Sequence, residues 1–297
     1  MKYYDLNNNE ETIDFFAERG SNVVLFGPMG SGASIWISDF MVKHYMEGAK
    51  VRLLSYGGGY KKITSLMDGI NAYLTDGINT KDIINTFNKD FYTFHTEEPA
   101  SKVIEFLEDV LKEAKSDYSQ DKNSKMVVVL TEAWKYLDSN DFVDYYNSFS
   151  KKLLKYNGTL LLATQCIKDC SKIETTLLDT NTTKILLSHS VLFNNALSPY
   201  EKRVNSLFNA KQKNTFKEMN HYCFFIEKDG EIFGRKYMLD NYDYLLYTES
   251  PKDVSVIENA MKSLKCNDMH KAIKKIVNDG LMQKYFPNFS TSTSKGK

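Results

Sequence analysis

The sequence predicts an α/β fold: a mostly parallel central sheet flanked by helices, with a helical insertion after the second strand and a C-terminal hairpin plus helices. Three observations carry that prediction. Residues 22–56 read strand, glycine-containing turn, helix, strand, which is the pattern of a parallel βαβ unit. Two nearly uninterrupted apolar runs follow, Met126-Val-Val-Val-Leu130 and Thr159-Leu-Leu-Leu-Ala-Thr164, as expected of strands covered on both faces. Beyond residue 200, Asp229-Gly230 separates two strand-like segments, a strong hairpin signal.

The first strand is Asn22-Val-Val-Leu-Phe26, closed by Gly27. Residues 34–47 carry apolar side chains at Ile35, Ile37, Phe40, Met41 and Tyr45; that spacing is helical, and Gly48 supplies the stop. Residues 50–56 form the second strand, ending in Gly57-Gly58-Gly59. The insertion, 60–124, shows no long apolar strand. Pro99 opens an amphipathic helix with Val103, Ile104, Phe106, Leu107, Val110 and Leu111 on one face. The polar stretch 116–125 reads as a surface loop. A helix over 140–156 ends at Gly158, and a further strand is expected over 184–188. Ser250-Pro251-Lys-Asp253 has the layout of an N-cap, a first-turn proline and an acidic third position, launching a helix. A last helix over 268–278 stops at Gly280, and the Ser/Thr/Lys-rich tail reads as flexible. The expected organisation is a lead-in over 1–20, one domain over 21–280 and a tail over 281–297.

Composition excludes several classes. With 38 basic and 38 acidic side chains the formal charge is zero, so charge gives no indication of nucleic acid as a partner. Only Arg19, Arg52, Arg203 and Arg235 are arginines, so bidentate phosphate clamps are scarce. No run approaches the length of a membrane span, and the N-terminus lacks the layout of a signal peptide. Cys166, Cys170, Cys223 and Cys266 make neither a disulfide framework nor a zinc-like spacing. The chain reads as cytoplasmic.

The chemistry concentrates in Gly27-Pro28-Met29-Gly30-Ser31-Gly32-Ala33-Ser34, between the first strand and the first helix. A phosphate-binding P-loop is G-x-x-x-x-G-K-[ST], and every fixed position is present except the lysine, which is Ala33. The glycines let backbone N–H groups turn inward around a phosphate, and the helix N-terminus adds its positive dipole end. The Ser34 hydroxyl is placed to reach a metal. The same residues also suit a plain glycine-rich βα turn. Leu130 delivers Thr131-Glu132-Ala133-Trp134 at the end of the third apolar strand. Glu132 stands where a general base would activate water, and equally suits a solvent-facing carboxylate at a strand end. Thr131 occupies the position where a P-loop ATPase normally places a magnesium-holding aspartate. Thr164-Gln165, ending the next strand, offers an amide beside a γ-phosphate.

These segments resemble the ATPase domain of TraC-like conjugative-transfer proteins, the motor ATPases of type IV secretion systems. The likeness rests on residues 27–34, on Gly58-Gly-Tyr60-Lys61-Lys62, on Leu130-Thr-Glu-Ala-Trp134, on Ala163-Thr-Gln165 and on Tyr247-Thr-Glu-Ser250-Pro251-Lys-Asp253. They occur in the family's order and span roughly residues 20–280. The resemblance implies a RecA-like P-loop fold, ATP and Mg2+ as ligands, and assembly into a ring, commonly hexameric, of this chain or of this chain with active paralogues. It also implies secretion-channel subunits as partners at the cytoplasmic face of the inner membrane. It carries over Gly27, Gly30, Gly32 and Ser34 as phosphate and metal contacts, Glu132 as catalytic carboxylate and Gln165 as γ-phosphate sensor. The family's large N-terminal docking domain has no counterpart in these 297 residues.

Two positions depart from the family. Losing the lysine at Ala33 removes a charge-assisted phosphate contact worth roughly 1.5–3 kcal/mol, about one to two decades of affinity. Thr131 weakens metal retention, so both changes fall on neutralising the same phosphates. The expectation is weak nucleotide binding and near-background hydrolysis, or a non-catalytic assembly module or gene remnant. Arg203 and Arg235 are the candidates for a finger reaching a neighbouring subunit, and Lys61 and Lys62 for replacing the missing lysine; a solvated surface role suits all four. Trp36 is expected in the core or against an adenine. His44, His95, His189, His221 and His270 show no ligand spacing.

Overall fold

The computed structural model of the chain describes residues 2–4, 10–12, 21–75, 79–97, 100–173, 182–187, 223–228, 231–237 and 239–286. Short strands β1 (Lys2–Tyr4) and β2 (Glu10–Thr12) precede β3 (Asn22–Phe26), helix α1 (Ala33–Met46) and β4 (Ala49–Tyr56). Then come α2 (Lys61–Leu66), β5 (Ile70–Tyr73), α3 (Thr80–Phe87), β6 (Phe91–Thr96) and α4 (Ala100–Gln120). The next stretch holds β7 (Lys125–Leu130), α5 (Trp134–Leu137), α6 (Asn140–Leu154), β8 (Gly158–Thr164), a 3-10 turn (Ile167–Ile173) and β9 (Thr182–Leu187). The hairpin β10 (Cys223–Lys228) and β11 (Glu231–Lys236) leads to α7 (Asn241–Tyr247), α8 (Pro251–Ser263), α9 (Met269–Asn278) and α10 (Met282–Tyr285).

The eleven strands among the described residues join one sheet in the order β2-β1-β11-β10-β9-β3-β8-β7-β4-β6-β5. The run from β9 to β5 is parallel throughout, while β10, β11, β1 and β2 extend it antiparallel. Because side chains alternate along a strand, Val24, Val128, Leu130, Leu160 and Leu162 face α4 and α6. Val23, Leu25, Val127, Val129 and Leu161 face α1, α2 and α7. Helix α1 is therefore trapped between the sheet and α7, which explains why even Asp39 and His44 on it are buried. Trp36 is fully buried and stacks on Phe40, so it is core. The C-terminal helices add a small core of their own, with Leu245, Ile257, Ile273 and Ile276 at its centre.

The expected parallel sheet, hairpin and C-terminal helices are all present, with several corrections. The insertion over 60–124 is mainly helical, yet it also contributes β5 and β6 to the parallel sheet. Strand β6 reads Phe-Tyr-Thr-Phe-His-Thr and is buried at every position, so its polar side chains hide a core strand. Residues 116–120 are not loop: α4 continues to Gln120, held by Asp117 on Lys50 and by Tyr118 against Tyr156. The segment read as a lead-in supplies β1 and β2, with Tyr4 paired to Lys236. Helix α6 stops at Leu154, Asn157 makes the turn at φ 53, and Gly158 opens β8. Ser250 is the N-cap residue of α8 without a side-chain cap; Asp253 instead accepts hydrogen bonds from the Tyr244 and Thr248 hydroxyls. The tail expected over 281–297 begins with helix α10 (Met282–Tyr285), packed on α8 and α9 through Met282; residues 287–297, Asp229-Gly230, Arg203, His189 and His221 lie outside the described residues. Among the described residues, no helix is long and apolar enough to cross a membrane.

Candidate nucleotide site

The strand order places the site. β8 lies between β3 and β7, so the turns after three parallel strands, at Gly27, Gln165 and Thr131, share one edge of the sheet. Ligands of open α/β sheets bind at this C-terminal edge. The Gly27 N–H donates to the Thr164 carbonyl (2.9 Å), and the Ala133 N–H reaches back to the Ala163 carbonyl (3.0 Å). The Thr131 N–H donates to Leu54 (3.1 Å), tying the same edge to β4.

Between β3 and α1 the chain makes the loop that its glycines allow. The Ser31 N–H closes a turn on the Pro28 carbonyl (3.0 Å). Gly30 (φ 80) and Gly32 (φ 85) occupy the left-handed region, where a side chain is strained. Gly27 is small for a different reason: a Cβ there would come within 2.6 Å of the Ala33 Cβ. Gly32 is the N-cap of α1, whose first N–H groups have no partner inside the helix. Met29 and Gly30 are solvent-exposed at the tip, with Met29 90% accessible. The loop thus presents backbone donors and a helix dipole to solvent, a cradle for phosphate oxygens.

The strand-end residues are brought together, but in mutual embrace. Glu132 takes a left-handed backbone (φ 51). Its Oε2 accepts hydrogen bonds from the Trp134 indole (2.7 Å) and from the Gln165 amide (2.9 Å). Thr131 is buried, and its hydroxyl has no hydrogen-bond partner among the described residues; the same holds for the Ser31 hydroxyl in the loop. Tyr60, at the end of the glycine run after β4, is buried in the same apolar cluster as Trp36 and Ile37 of α1. Burial pushes the Tyr60 phenol well above its ordinary pKa, so it stays protonated.

The residues fit phosphate better than they fit a resident metal. Backbone amides serve an anion, whereas Mg2+ favours carboxylate and phosphate oxygens. Here the nearby side-chain oxygens are neutral hydroxyls, and one oxygen of the Glu132 carboxylate is already engaged by two donors. No cluster of three or more His, Cys, Asp or Glu suited to a metal occurs among the described residues.

Other candidates fall away. Lys62 is neither a solvated lysine nor a phosphate ligand: its Nζ is buried on the Leu245 (3.0 Å) and Leu246 (2.5 Å) carbonyls. Lys61 is exposed and lies over the Tyr73 ring. Arg235 sits half-buried on β11, three strands from β3, with its guanidinium on the Gly234 carbonyl. Arg52 is a core residue, ion-paired to Glu113 beneath Tyr92. His95 is buried, and desolvation aided by the Lys61 charge pushes its pKa down to about 4. Burial raises the Cys170 thiol, which keeps it inert.

Neither a protein-family model nor a curated protein sequence matches the chain. Solved structures do. VirB4 of Thermoanaerobacter pseudethanolicus superposes over 81% of this chain and 96% of its own, with a TM-score of 0.60 and 14% identity. This is the fold of a P-loop ATPase. The genome packaging NTPase B204 from Sulfolobus turreted icosahedral virus 2, in complex with ATP-gammaS, matches 74% of this chain and 98% of its own, with a TM-score of 0.50 and 18% identity. A RecA-like P-loop ATPase places its glycine loop between a parallel strand and its following helix, which is where residues 27–34 stand.

Proposed function

We propose that this chain is a VirB4/TraC-like motor ATPase domain of a secretion apparatus whose phosphate site binds nucleotide weakly and turns it over slowly or not at all. The observation that carries the reading is the glycine loop at the head of α1, set on the same sheet edge as Glu132 and Gln165. Support for the motor class comes from the fold shared with VirB4, and support for a nucleotide from the ATP-gammaS complex of B204.

Within this reading, the amides of residues 27–34 hold the phosphates, with Gly27, Gly30 and Gly32 shaping the loop. Gln165 orients toward a γ-phosphate, and Glu132 holds water once released from Trp134. Ala33 contributes no charge, and Thr131 contributes a neutral hydroxyl where a carboxylate would retain Mg2+. Assembly into a ring, alone or with active paralogues, at the cytoplasmic face of a membrane-embedded channel completes the proposal. The engagement of one Glu132 oxygen by two donors favours a second reading, a non-catalytic assembly module in such a ring.

Titration with a fluorescent ATP analogue and a phosphate-release assay test the first reading. Binding with near-background release is expected; turnover typical of a working motor would overturn the weakened-catalysis part. Ala33→Lys with Thr131→Asp is expected to tighten binding by about one to two decades and to start hydrolysis. The Ala33 Cβ is already accommodated against Gly27, so the longer side chain adds no new atom at the tight contact. If the restored chain binds but never hydrolyses, the assembly-module reading gains.

A further inference from the structure

We infer that the loop over residues 27–34 holds a single phosphate group without a metal. Its ligand class is then a nucleoside monophosphate or another phosphomonoester, in preference to a complex of Mg2+ with a triphosphate. This rests on the nucleotide reading proposed above and narrows it: a site of this kind retains nucleotide without turning it over.

Two buried hydroxyls at the site call for an acceptor that the protein does not supply. Ser31 is 6% exposed and Thr131 5%, and neither hydroxyl has a hydrogen-bond partner among the described residues. A buried donor left in that state is unfavourable. Ser31 is the better placed of the two. Its Oγ lies 3.1 Å from the point where a Cβ on Gly27 would stand, so the side chain folds across the loop that joins β3 to α1. Beside it stand the amides at the head of α1. The Trp36 N–H is the donor that reaches the Gly32 carbonyl (3.0 Å), which leaves the N–H groups of Ala33, Ser34 and Ile35 ahead of that bond. Amides, a hydroxyl and a helix N-terminus together suit phosphate oxygens, and all of them are neutral groups.

The charges around the loop set the size of the anion. Lysines that follow the strand ends are committed elsewhere. Lys62 holds the Leu245 and Leu246 carbonyls, Lys61 lies over Tyr73, Lys135 lies over Tyr56 and Trp134, and Lys172 donates to the Asp138 carbonyl. Lys168 is exposed, but Asp169 beside it in sequence offsets its charge. The carboxylates are occupied too. One oxygen of Glu132 accepts from Trp134 and Gln165. One oxygen of Asp169 accepts from the Thr164 hydroxyl (2.6 Å) and the Cys166 N–H (3.0 Å). Mg2+ favours carboxylate and phosphate oxygens, and these acids already serve the chain as acceptors. A helix N-terminus is worth about half a positive charge. One phosphate is matched to that, whereas a second and a third bring charge that nothing described here offsets and that the Glu132 carboxylate repels.

Calorimetric titration of the full chain with inorganic phosphate, AMP and ATP, each in EDTA and in excess Mg2+, tests the inference. AMP is expected to bind with the same Kd, within about twofold, in both buffers, and ATP no more tightly than AMP in either. Inorganic phosphate that competes with AMP shows that the phosphate group itself is what the loop reads. Ser31→Ala is expected to weaken AMP by roughly fivefold, the factor one ordinary hydrogen bond represents. Its thermal midpoint without ligand should hold or rise, because the hydroxyl has no partner to lose among the described residues. Ala33→Lys is expected to reverse the order and make ATP the tighter ligand by about tenfold or more. Mg2+ that tightens ATP on the wild-type chain by about tenfold overturns the inference and leaves the nucleotide reading standing. An unchanged AMP affinity in Ser31→Ala overturns it as well. Binding of none of the three probes overturns the inference and the nucleotide reading together. The wild-type comparison of the two buffers decides alone if a variant does not fold.

Discussion

Lys62 and Glu249 each cap the helix to which the other is joined. Lys62, on α2, places its ammonium on the Leu245 and Leu246 carbonyls in the last turn of α7. Glu249, just beyond α7, accepts the Ile63 N–H in the first turn of α2 (2.9 Å). A cation at a helix C-terminus and an anion at an N-terminus both obey the helix dipole. The two are joined across a sequence separation of more than 180 residues, so the clamp fastens the C-terminal helices to the sheet. Lys62→Met keeps the aliphatic stem and leaves two buried carbonyls short of a donor. A loss on the order of 1–3 kcal/mol is expected, read as a lower urea midpoint with an unchanged m-value.

The same lysine gives stability a pH dependence. Burial, outweighing the pull of Glu249 and Asp253, lowers the Lys62 pKa to about 8. An unfolded lysine titrates near 10.4. Between these values the unfolded chain holds a proton that the folded chain has released, so the stability difference grows as pH rises. Below about 8 both states are protonated and the term is flat. The wild type is therefore expected to gain on Lys62→Met between pH 8 and 10, by on the order of 3 kcal/mol at most. Urea midpoints of the two proteins, measured side by side through that window, check it; parallel curves would contradict it.

Thr131 offers a test of a different kind. Its buried hydroxyl has no hydrogen-bond partner among the described residues, so Thr131→Val exchanges an unsatisfied polar group for a methyl of similar shape. Stability is expected to stay level or rise by about 1 kcal/mol. Thr131→Asp buries an unpaired carboxylate instead and is expected to cost at least as much as an unsatisfied polar group, about 1–3 kcal/mol. Adding Ala33→Lys should recover part of that loss if the two side chains meet across the loop. Thermal unfolding of the four proteins gives the comparison.

The legible parts of this fold are those written locally. Glycines at 30 and 32 must turn, apolar runs at 126–130 and 159–164 must be covered, and both demands are visible in a few adjacent residues. What escaped depended on distant partners. Strand β6 was hidden because Thr93, His95 and Thr96 are polar, yet all three are buried by β4 and β5 on either side. Residues 116–120 look like a loop until Asp117 finds Lys50 and Tyr118 finds Tyr156. Lys62 reads as a surface lysine because α7, which buries it, comes late in the chain.

Trp134 supplies both a probe and a lever for the candidate carboxylate. The chain has two tryptophans: Trp36 is fully buried, whereas Trp134 is 37% accessible and donates to Glu132. Emission that responds to quencher therefore reports Trp134. Nucleotide drawn into the loop would recruit Gln165, the second donor on the same oxygen, and disturb the indole. The emission change on adding an ATP analogue is expected to vanish in Trp134→Phe, which retains only the buried tryptophan. The lever follows from the same geometry. With two donors on Oε2, that oxygen points its lone pairs at protein and away from water. In the Ala33→Lys, Thr131→Asp background, Trp134→Phe leaves one donor and frees Glu132 to meet water. Phosphate release should then rise by roughly fivefold, the weight of one hydrogen bond, with no change in analogue affinity. A fall in turnover would mean that the indole holds Glu132 in its working position and does not restrain it.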